Sequence, residues 1–226
     1  MKIKAVKAPK DCFYELEKWF SIRRMEGTYP PGWNLTNTFA NCKPMRIYRF
    51  PLKLLGSPEF HGSQMELSGW SFIHEDLNGK LGNFWVNTVG SKEEVMGYEF
   101  SHANYGMRAT QVLHILDQLR GMEGQGGLFD CYIANILIGG PKFTSSIWLQ
   151  PTFRGKDLFI KLAPNFYPPQ QDSAASDIEI DMFSKDYELL EHEDHQIHIL
   201  LALDHYTKHG INSHEERSRG GGFQQE

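Results

Sequence analysis

The chain has 226 residues, 40% of them hydrophobic and 13% aromatic, which is enough material for the core of one large domain. With 23 Lys and Arg against 28 Asp and Glu, the net charge is −5, which argues against sequence-independent binding of nucleic acid. No apolar run reaches the ~20 residues that cross a bilayer. Three widely spaced cysteines without a CxxC pair indicate reduced thiols, so we expect a cytoplasmic protein without a membrane partner.

The first half of the chain predicts one helix and at least one strand. Apolar residues at helical spacing predict a helix over about 11–25, with Asp11 as its cap and Gly27 at its end. A strand is expected over Met45–Phe50, and the ambiguous stretch 57–77 is expected to contain a short helix around Gln64. Turn signals follow at Asn78-Gly79 and at 81–83.

The second half predicts a clear helix over about 106–121, with an apolar face of Val112, Ile115, Leu116 and Leu119. A buried strand over 128–138 follows, then a hairpin made of strands 147–153 and 158–162. Residues 168–177 are expected to be a loop, 184–208 a final helix, and 212–226 a disordered tail. Such a mixture indicates a single α+β or α/β domain over 1–211.

Several short motifs stand in the order found in one enzyme family. Phe50-Pro51-Leu52 precedes Glu66-Leu67, Trp85 follows, and Tyr105-Gly106 comes shortly before Arg108. The run Gln111–Leu119 resembles the pattern QxxxVLxxL, with Ile115 in place of the valine, and Gln150 precedes a turn at Gly155-Lys156. In this order the motifs resemble thymidylate synthase and the related pyrimidine-nucleotide hydroxymethylases, over roughly residues 14–166. The resemblance implies an α+β fold with a large mixed sheet, flanking helices and a homodimer.

The resemblance also implies a set of site residues. Catalytic positions fall on Glu66, Tyr105 and Ser145, and Trp85 corresponds to a tryptophan at the folate site, so a folate cofactor is expected by resemblance alone. Substrate-binding positions fall on Arg108, Gln150 and Asn165. The alternative reading of Glu66, Trp85 and Tyr105 is an ordinary surface glutamate, a core tryptophan and a turn tyrosine.

The residues that carry the family's chemistry are replaced in this chain. Ser145 stands where the family has its nucleophilic cysteine, and a serine is a weak nucleophile without an adjacent base. Gly126-Gly127 and Asn165-Phe166 stand where the family's phosphate-binding arginines lie, and none of them supplies a charge. We therefore expect a catalytically degenerate binding or assembly module, with a nucleotide as its candidate ligand. The alternative is an active pyrimidine C5 transferase, for methyl or hydroxymethyl groups, that uses Glu66 as its acid or base.

Three further patterns lie outside the resemblance. The first pattern is a set of C-terminal histidines: His192, His195, His198, His205 and His209. Because imidazoles and carboxylates can hold Zn²⁺, this set gives metal binding as a third functional hypothesis. The alternative is that the histidines form the polar face of an amphipathic helix. Gly124–Gly127 follows a helix and predicts a C-cap and turn rather than a phosphate loop. An aromatic set favours core packing over base stacking; it comprises Trp70, Phe72, Phe84 and Trp85.

Overall fold

The computed structural model describes residues 1–27, 42–51, 64–75, 79, 81–91, 94–105, 107–121, 127–139, 142–162, 189–197 and 199–200. They form two helices, α1 (Lys10–Glu26) and α2 (Met107–Gly121), and a short helical segment at the C-terminal end of the described part. The strands are β1 (Lys2–Ile3), β2 (Lys43–Arg49), β3 (Glu66–Glu75), β4 (Leu81–Gly90), β5 (Val95–Tyr105), β6 (Leu128–Gly139), β7 (Lys142–Pro151), β8 (Leu158–Leu162) and β9 (Leu190–Glu191).

All nine described strands belong to one mixed sheet, with the order β5-β4-β3-β2-β6-β7-β8-β9 and β1 beside β6. Strands β2 and β6 run parallel, as do β1 and β6, whereas the remaining pairs are antiparallel. The expected α+β architecture, a large mixed sheet with flanking helices, is therefore confirmed.

The sheet is covered on both faces, which we call the α1 side and the α2 side. On the α2 side, buried residues of α2 such as Val112 and Ile115 pack on Ile47, Ile133 and Ile147 of the central strands. Because side chains alternate along a strand, the neighbouring residues of the same strands point to the α1 side.

Two clusters lie on the α1 side. Over β3 and β4, α1 inserts Leu16 and Phe20 among aromatic and β-branched side chains: Trp70, Phe72, Phe84 and Val86. Over β6–β8 lies an aromatic cluster that also takes in Leu190 and Ile199 near the end of the described chain; its rings are Phe50, Tyr132, Trp148 and Phe159. All four members of the predicted aromatic set are buried, so the core-packing reading is confirmed.

The two main helices and the hairpin agree with the sequence, and the differences have local causes. Pro9 rather than Asp11 is the N-cap of α1, and Gly27 ends the helix in the left-handed conformation (φ 65°). Gln64 has 3₁₀-helical conformation, in line with the short helix expected around it, and the residues just before it lie outside the described part. Residues 66–75 form the strand β3, and residues 81–83 belong to β4 rather than a turn. Both segments are buried by helices, so tertiary packing outweighs their ambiguous local pattern.

The final helix begins later than expected. Residues 192–197 and 199–200 are helical, whereas Leu190–Glu191 is a strand; we call 192–197 with 199–200 the C-terminal segment. The remainder of the predicted helix, the 168–177 loop and the tail from 212 lie outside the described residues.

Candidate functional site

A row of polar side chains crosses four neighbouring strands on the α2 side. Glu66 of β3 lies opposite Arg49 of β2, Arg49 lies opposite Asn135 of β6, and Asn135 lies opposite Ser145 of β7. Directly opposed residues point to the same face of a sheet, and this face carries Ile47 and Ile133, two residues before Arg49 and Asn135. We call Glu66, Arg49, Asn135 and Ser145 the polar row.

A β-bulge decides that Glu66 belongs to the row. The register of β2 and β3 shifts between Ile47, opposite Gly69, and Tyr48, opposite Leu67, so Ser68 is the extra residue. The Ser68 hydroxyl donates a hydrogen bond to the Ile47 carbonyl oxygen at 3.1 Å. If Ser68 were not an extra residue, the side chains that precede it in β3, including Glu66, would point to the α1 side. The bulge therefore turns Glu66 to the α2 side, where Ser145 lies.

The position of the row favours a ligand site. With strands about 4.8 Å apart, four adjacent strands span about 14 Å, the length of a nucleotide-sized molecule. Arg49 and Asn135 lie in the carboxyl-terminal halves of the parallel strands β2 and β6, and the next strands, β3 and β7, lie on opposite sides of this pair. In open sheets, ligands most often bind at the place where the chain leaves two neighbouring parallel strands in opposite directions.

Hydrogen bonding within the row does not activate the serine. The Ser145 hydroxyl donates to the Asn135 side-chain oxygen at 2.6 Å, and the exposed fractions of Ser145 and Asn135 are 0% and 8%. An amide is not a base and cannot take the proton that a nucleophilic serine must lose. The described contact therefore makes Ser145 a structural and ligand-positioning group rather than a nucleophile.

Arg49 has the opposite character. It is exposed, and within the described part of the chain its guanidinium has no hydrogen-bond or ion-pair partner. A guanidinium offers five donors in a planar fork that matches carboxylate and phosphate groups. The row thus combines one available cation, one carboxylate and a buried amide–hydroxyl pair.

The amide–hydroxyl pair is expected to contribute measurably to stability. Ser145→Ala should lower the free energy of unfolding by about 1–2 kcal/mol, because the buried Asn135 oxygen loses the donor described for it. Urea denaturation followed by circular dichroism measures the change. Ser101→Ala on exposed edge strand β5 is the control and should change stability by less than about 0.5 kcal/mol; equal effects of the two substitutions would contradict the assigned role.

None of the cysteines replaces the missing nucleophile. Burial raises the pKa of Cys12, Cys42 and Cys131 to about 12, with Asp11 adding to the effect at Cys12 and Asp130 at Cys131. The Cys42 sulfur lies 3.4 Å from Nδ1 of His74, yet at neutral pH it stays a thiol, which is a far poorer nucleophile than a thiolate. All three cysteines are free, as the sequence predicts.

The structure brings only some of the predicted site residues together. Glu66 and Ser145 share the polar row, and Trp85 lies on the same side but within the core, with its ring 4.6 Å from that of His102. Gln150 lies opposite Asp130, five residues beyond Ser145, and so points to the α1 side.

The remaining predicted residues lie apart from the row or outside the description. Tyr105 ends β5, opposite Gly82, and β5 is five strands from the β7 strand of Ser145, or about 24 Å. Arg108 lies in the first turn of α2, and its side chain lies outside the described residues. Asn165 lies outside the described residues.

A second hydroxyl contact lies on the α1 side. Ser146 Oγ is 2.8 Å from Nε2 of His195, and both side chains are at most 2% exposed. The spacing suits a nucleophile and its base, but the pair is packed beneath the aromatic ring of Phe159, 4.1 Å away. Sequence reasoning did not pair these residues because 49 positions separate them; the signal available was the alternation that turns Ser145 and Ser146 to opposite faces.

The metal hypothesis receives no support from the described residues, among which no group of three or more His, Cys, Asp or Glu could hold a metal ion. His192 contacts the Gln196 side chain and His195 contacts Ser146. His198, His205 and His209 lie outside the description.

Within the described part, no helix is long and apolar enough to cross a membrane. A scan against models of known families, a search of curated proteins and a search of solved structures each returned no match.

Proposed function

We propose that this protein is a catalytically degenerate, thymidylate-synthase-like binding or assembly module that holds a small polar ligand along the polar row. The observation that supports the proposal is that Glu66 and Ser145 both lie in the polar row. They are 79 residues apart in the chain, and the resemblance assigns both to one site. A coincidental match of short motifs gives no reason for the two residues to share a face and a row.

The lack of covalent chemistry in this proposal follows from the contacts of Ser145. Its hydroxyl proton is directed at an amide oxygen, and the three thiols stay protonated at neutral pH because burial raises the pKa of each. Attack on a pyrimidine ring needs an activated nucleophile. The row is therefore better suited to binding than to a transfer reaction.

The ligand class follows from the groups that the row presents. The fork of Arg49, which has no partner among the described residues, suits an anionic group such as a phosphate. Asn135 uses its oxygen for Ser145 and keeps two N–H donors, which suit the carbonyl oxygens of a pyrimidine. We propose a pyrimidine nucleotide as the ligand, and a homodimer as the assembly that the resemblance implies.

Calorimetric titration with dUMP, dCMP and CMP tests this function. We expect at least one of them to bind, and we expect Arg49→Gln to weaken that binding about 10- to 100-fold, because a hydrogen bond to a charged group contributes about 1.5–3 kcal/mol. The matched control is Arg154→Gln, an exposed arginine in the β7–β8 turn, which should bind as the unmodified protein does.

Two outcomes would contradict the proposal in different ways. If none of the three nucleotides releases or absorbs heat at millimolar concentration, the nucleotide assignment is lost. If one binds and both arginine variants retain full affinity, a nucleotide site exists but does not lie on the polar row.

A further inference from the structure

The solvent-facing side of α1 carries large apolar side chains that the fold does not bury. Tyr14 is 65% exposed, Ile22 40% and Met25 80%, although the opposite side of the same helix packs on the sheet through Leu16 and Phe20. A single exposed apolar residue is common on any protein surface. Three of them on one 17-residue helix, which is about 25 Å long, form a surface large enough to contact a second helix.

The spacing along this surface is that of a helix-pairing seam. Four exposed residues stand at i, i+4, i+7 and i+11, so they lie in one line along the helix. They are Tyr14, Lys18, Ser21 and Met25, which we call the outer stripe, and Ile22 lies beside them. Alternating steps of four and three residues are the pattern by which two helices pack at a shallow crossing angle. The outer stripe therefore suits contact with another helix along its whole length.

A second copy of α1 in antiparallel orientation complements the outer stripe. Reversal about the middle of the stripe places Tyr14 beside Met25 of the partner subunit, because the two residues are equally far from that point. A methionine sulfur against an aromatic ring is a favourable contact. Near the centre, the small side chain of Ser21 lets the two helices approach. Lys18, whose ammonium lies 3.5 Å from the Glu15 carboxylate, can lay its aliphatic stem over the seam while its charge stays in water.

The charged residues beside the outer stripe favour the same arrangement. Glu17 and Arg24 are exposed and lie on one flank of the stripe, each one position before a stripe residue. Residues in such flanking positions form the ion pairs between paired helices. In an antiparallel pair, Glu17 faces Arg24 of the partner subunit, and the two-fold axis repeats this pair. In a parallel pair, Glu17 would lie level with its own counterpart, so the charges favour the antiparallel orientation.

We propose that two copies of this chain associate through the outer stripes of their α1 helices, packed antiparallel about a two-fold axis near Ser21. Such an interface is isologous, since the same surface serves on both copies. It gives a surface to the homodimer of the proposed function, and rests on that function only for the expectation of a dimer. One helix pair buries less area than a standard stable interface, so we expect monomer and dimer to exchange reversibly.

Sedimentation equilibrium of the full chain at several protein concentrations tests the interface. We expect a dimer that dissociates on dilution, and we expect Met25→Glu to weaken it about 100-fold, because a carboxylate would face the Tyr14 ring without a partner. Met96→Glu is the matched control: Met96 is 74% exposed and lies on edge strand β5, so this change should leave the association unchanged. A monomer at every concentration, or a dimer that Met25→Glu does not weaken, would overturn the proposal.

Charge reversals test the antiparallel orientation. Glu17→Arg and Arg24→Glu should each weaken the dimer about 3- to 30-fold, since either change replaces two attractive pairs by two repulsive ones. The combined variant restores the pairs with their signs exchanged and should recover most of the affinity. Circular dichroism checks that each variant keeps its helix content. Two weakened single variants without recovery in the combined variant would overturn the antiparallel pairing.

The ligand site can be tested separately from the interface. The outer stripe belongs to the helix on the α1 side, whereas the polar row lies on the α2 side. Met25→Glu should therefore bind nucleotide with the affinity of the unmodified protein. A monomeric chain that binds a nucleotide would refute the interface and leave the ligand site in place, and a dimer that binds none would do the reverse.

Discussion

Gly69→Ala is expected to lower the free energy of unfolding by about 3 kcal/mol, at the upper end of the range for overpacked positions. A Cβ at position 69 would lie 2.3 Å from the carbonyl oxygen of Val86 and 3.0 Å from the Cα of Asn87. Both are backbone atoms of β4, which β3 and β5 hold from either side. The neighbour therefore cannot move away without disturbing the hydrogen bonds of the sheet. Urea denaturation at constant pH measures the change.

Gly97→Ala is the matched control for this substitution. Gly97 also lies in a strand, β5, but nothing lies within 4 Å of the position that its Cβ would take. This change should leave stability within about 0.5 kcal/mol or raise it slightly, because alanine has less freedom in the unfolded chain. Equal effects of the two alanines would show that the approach of β4 to Gly69 is not what limits this position.

Gly69→Ala should also affect the polar row. Gly69 follows the bulge at Ser68 that turns Glu66 to the side of Ser145. A shift of β3 away from β4 changes the geometry of that bulge, and with it the direction of Glu66. Stability and ligand binding are therefore coupled at Gly69, whereas Arg49→Gln is expected to change binding alone.

Much of the fold could be predicted because its main elements have a strong local pattern. In α2, Val112, Ile115, Leu116 and Leu119 repeat at helical spacing and are buried as expected. The strand over 128–138 and the hairpin after it are apolar runs separated by a clear turn, and these too are confirmed. The strand over residues 66–75 has an ambiguous sequence pattern because β3 is covered on both sides, so its burial follows no strict alternation.

Less of the candidate site than of the fold could be predicted from the sequence. The resemblance predicts Glu66 and Ser145 as site residues, but Arg49 and Asn135 join them only through the parallel pairing of β2 with β6, strands that lie far apart in the chain. Local patterns carry no information on that pairing. The bulge at Ser68 also changes which face Glu66 occupies, and a strict alternation from Trp70 would have assigned Glu66 to the α1 side.

Substitutions at Trp85 distinguish a packing role from the cofactor role that the resemblance implies. Its side chain is 4% exposed and belongs to the core beneath α2. Trp85→Ala should therefore lower the free energy of unfolding by about 3–5 kcal/mol, the usual cost of deleting a large buried aromatic side chain. Trp85→Phe keeps most of the ring's volume and should cost less. Phe153→Ala is the surface control, since Phe153 is 80% exposed, and should change stability by less than about 0.5 kcal/mol.

The folate role makes a different prediction for the same variants. If the indole stacks on a cofactor, Trp85→Phe should weaken binding of tetrahydrofolate, measured by calorimetry, more than it lowers stability. If the indole is a core group, stability should fall in the order unmodified protein, Trp85→Phe, Trp85→Ala, and any affinity for tetrahydrofolate should be the same in Trp85→Phe as in the unmodified protein. We expect the second result because a ring enclosed between the sheet and α2 has almost no surface to offer a ligand. A loss of affinity in Trp85→Phe without a loss of stability would instead move the ligand site from the polar row towards α2.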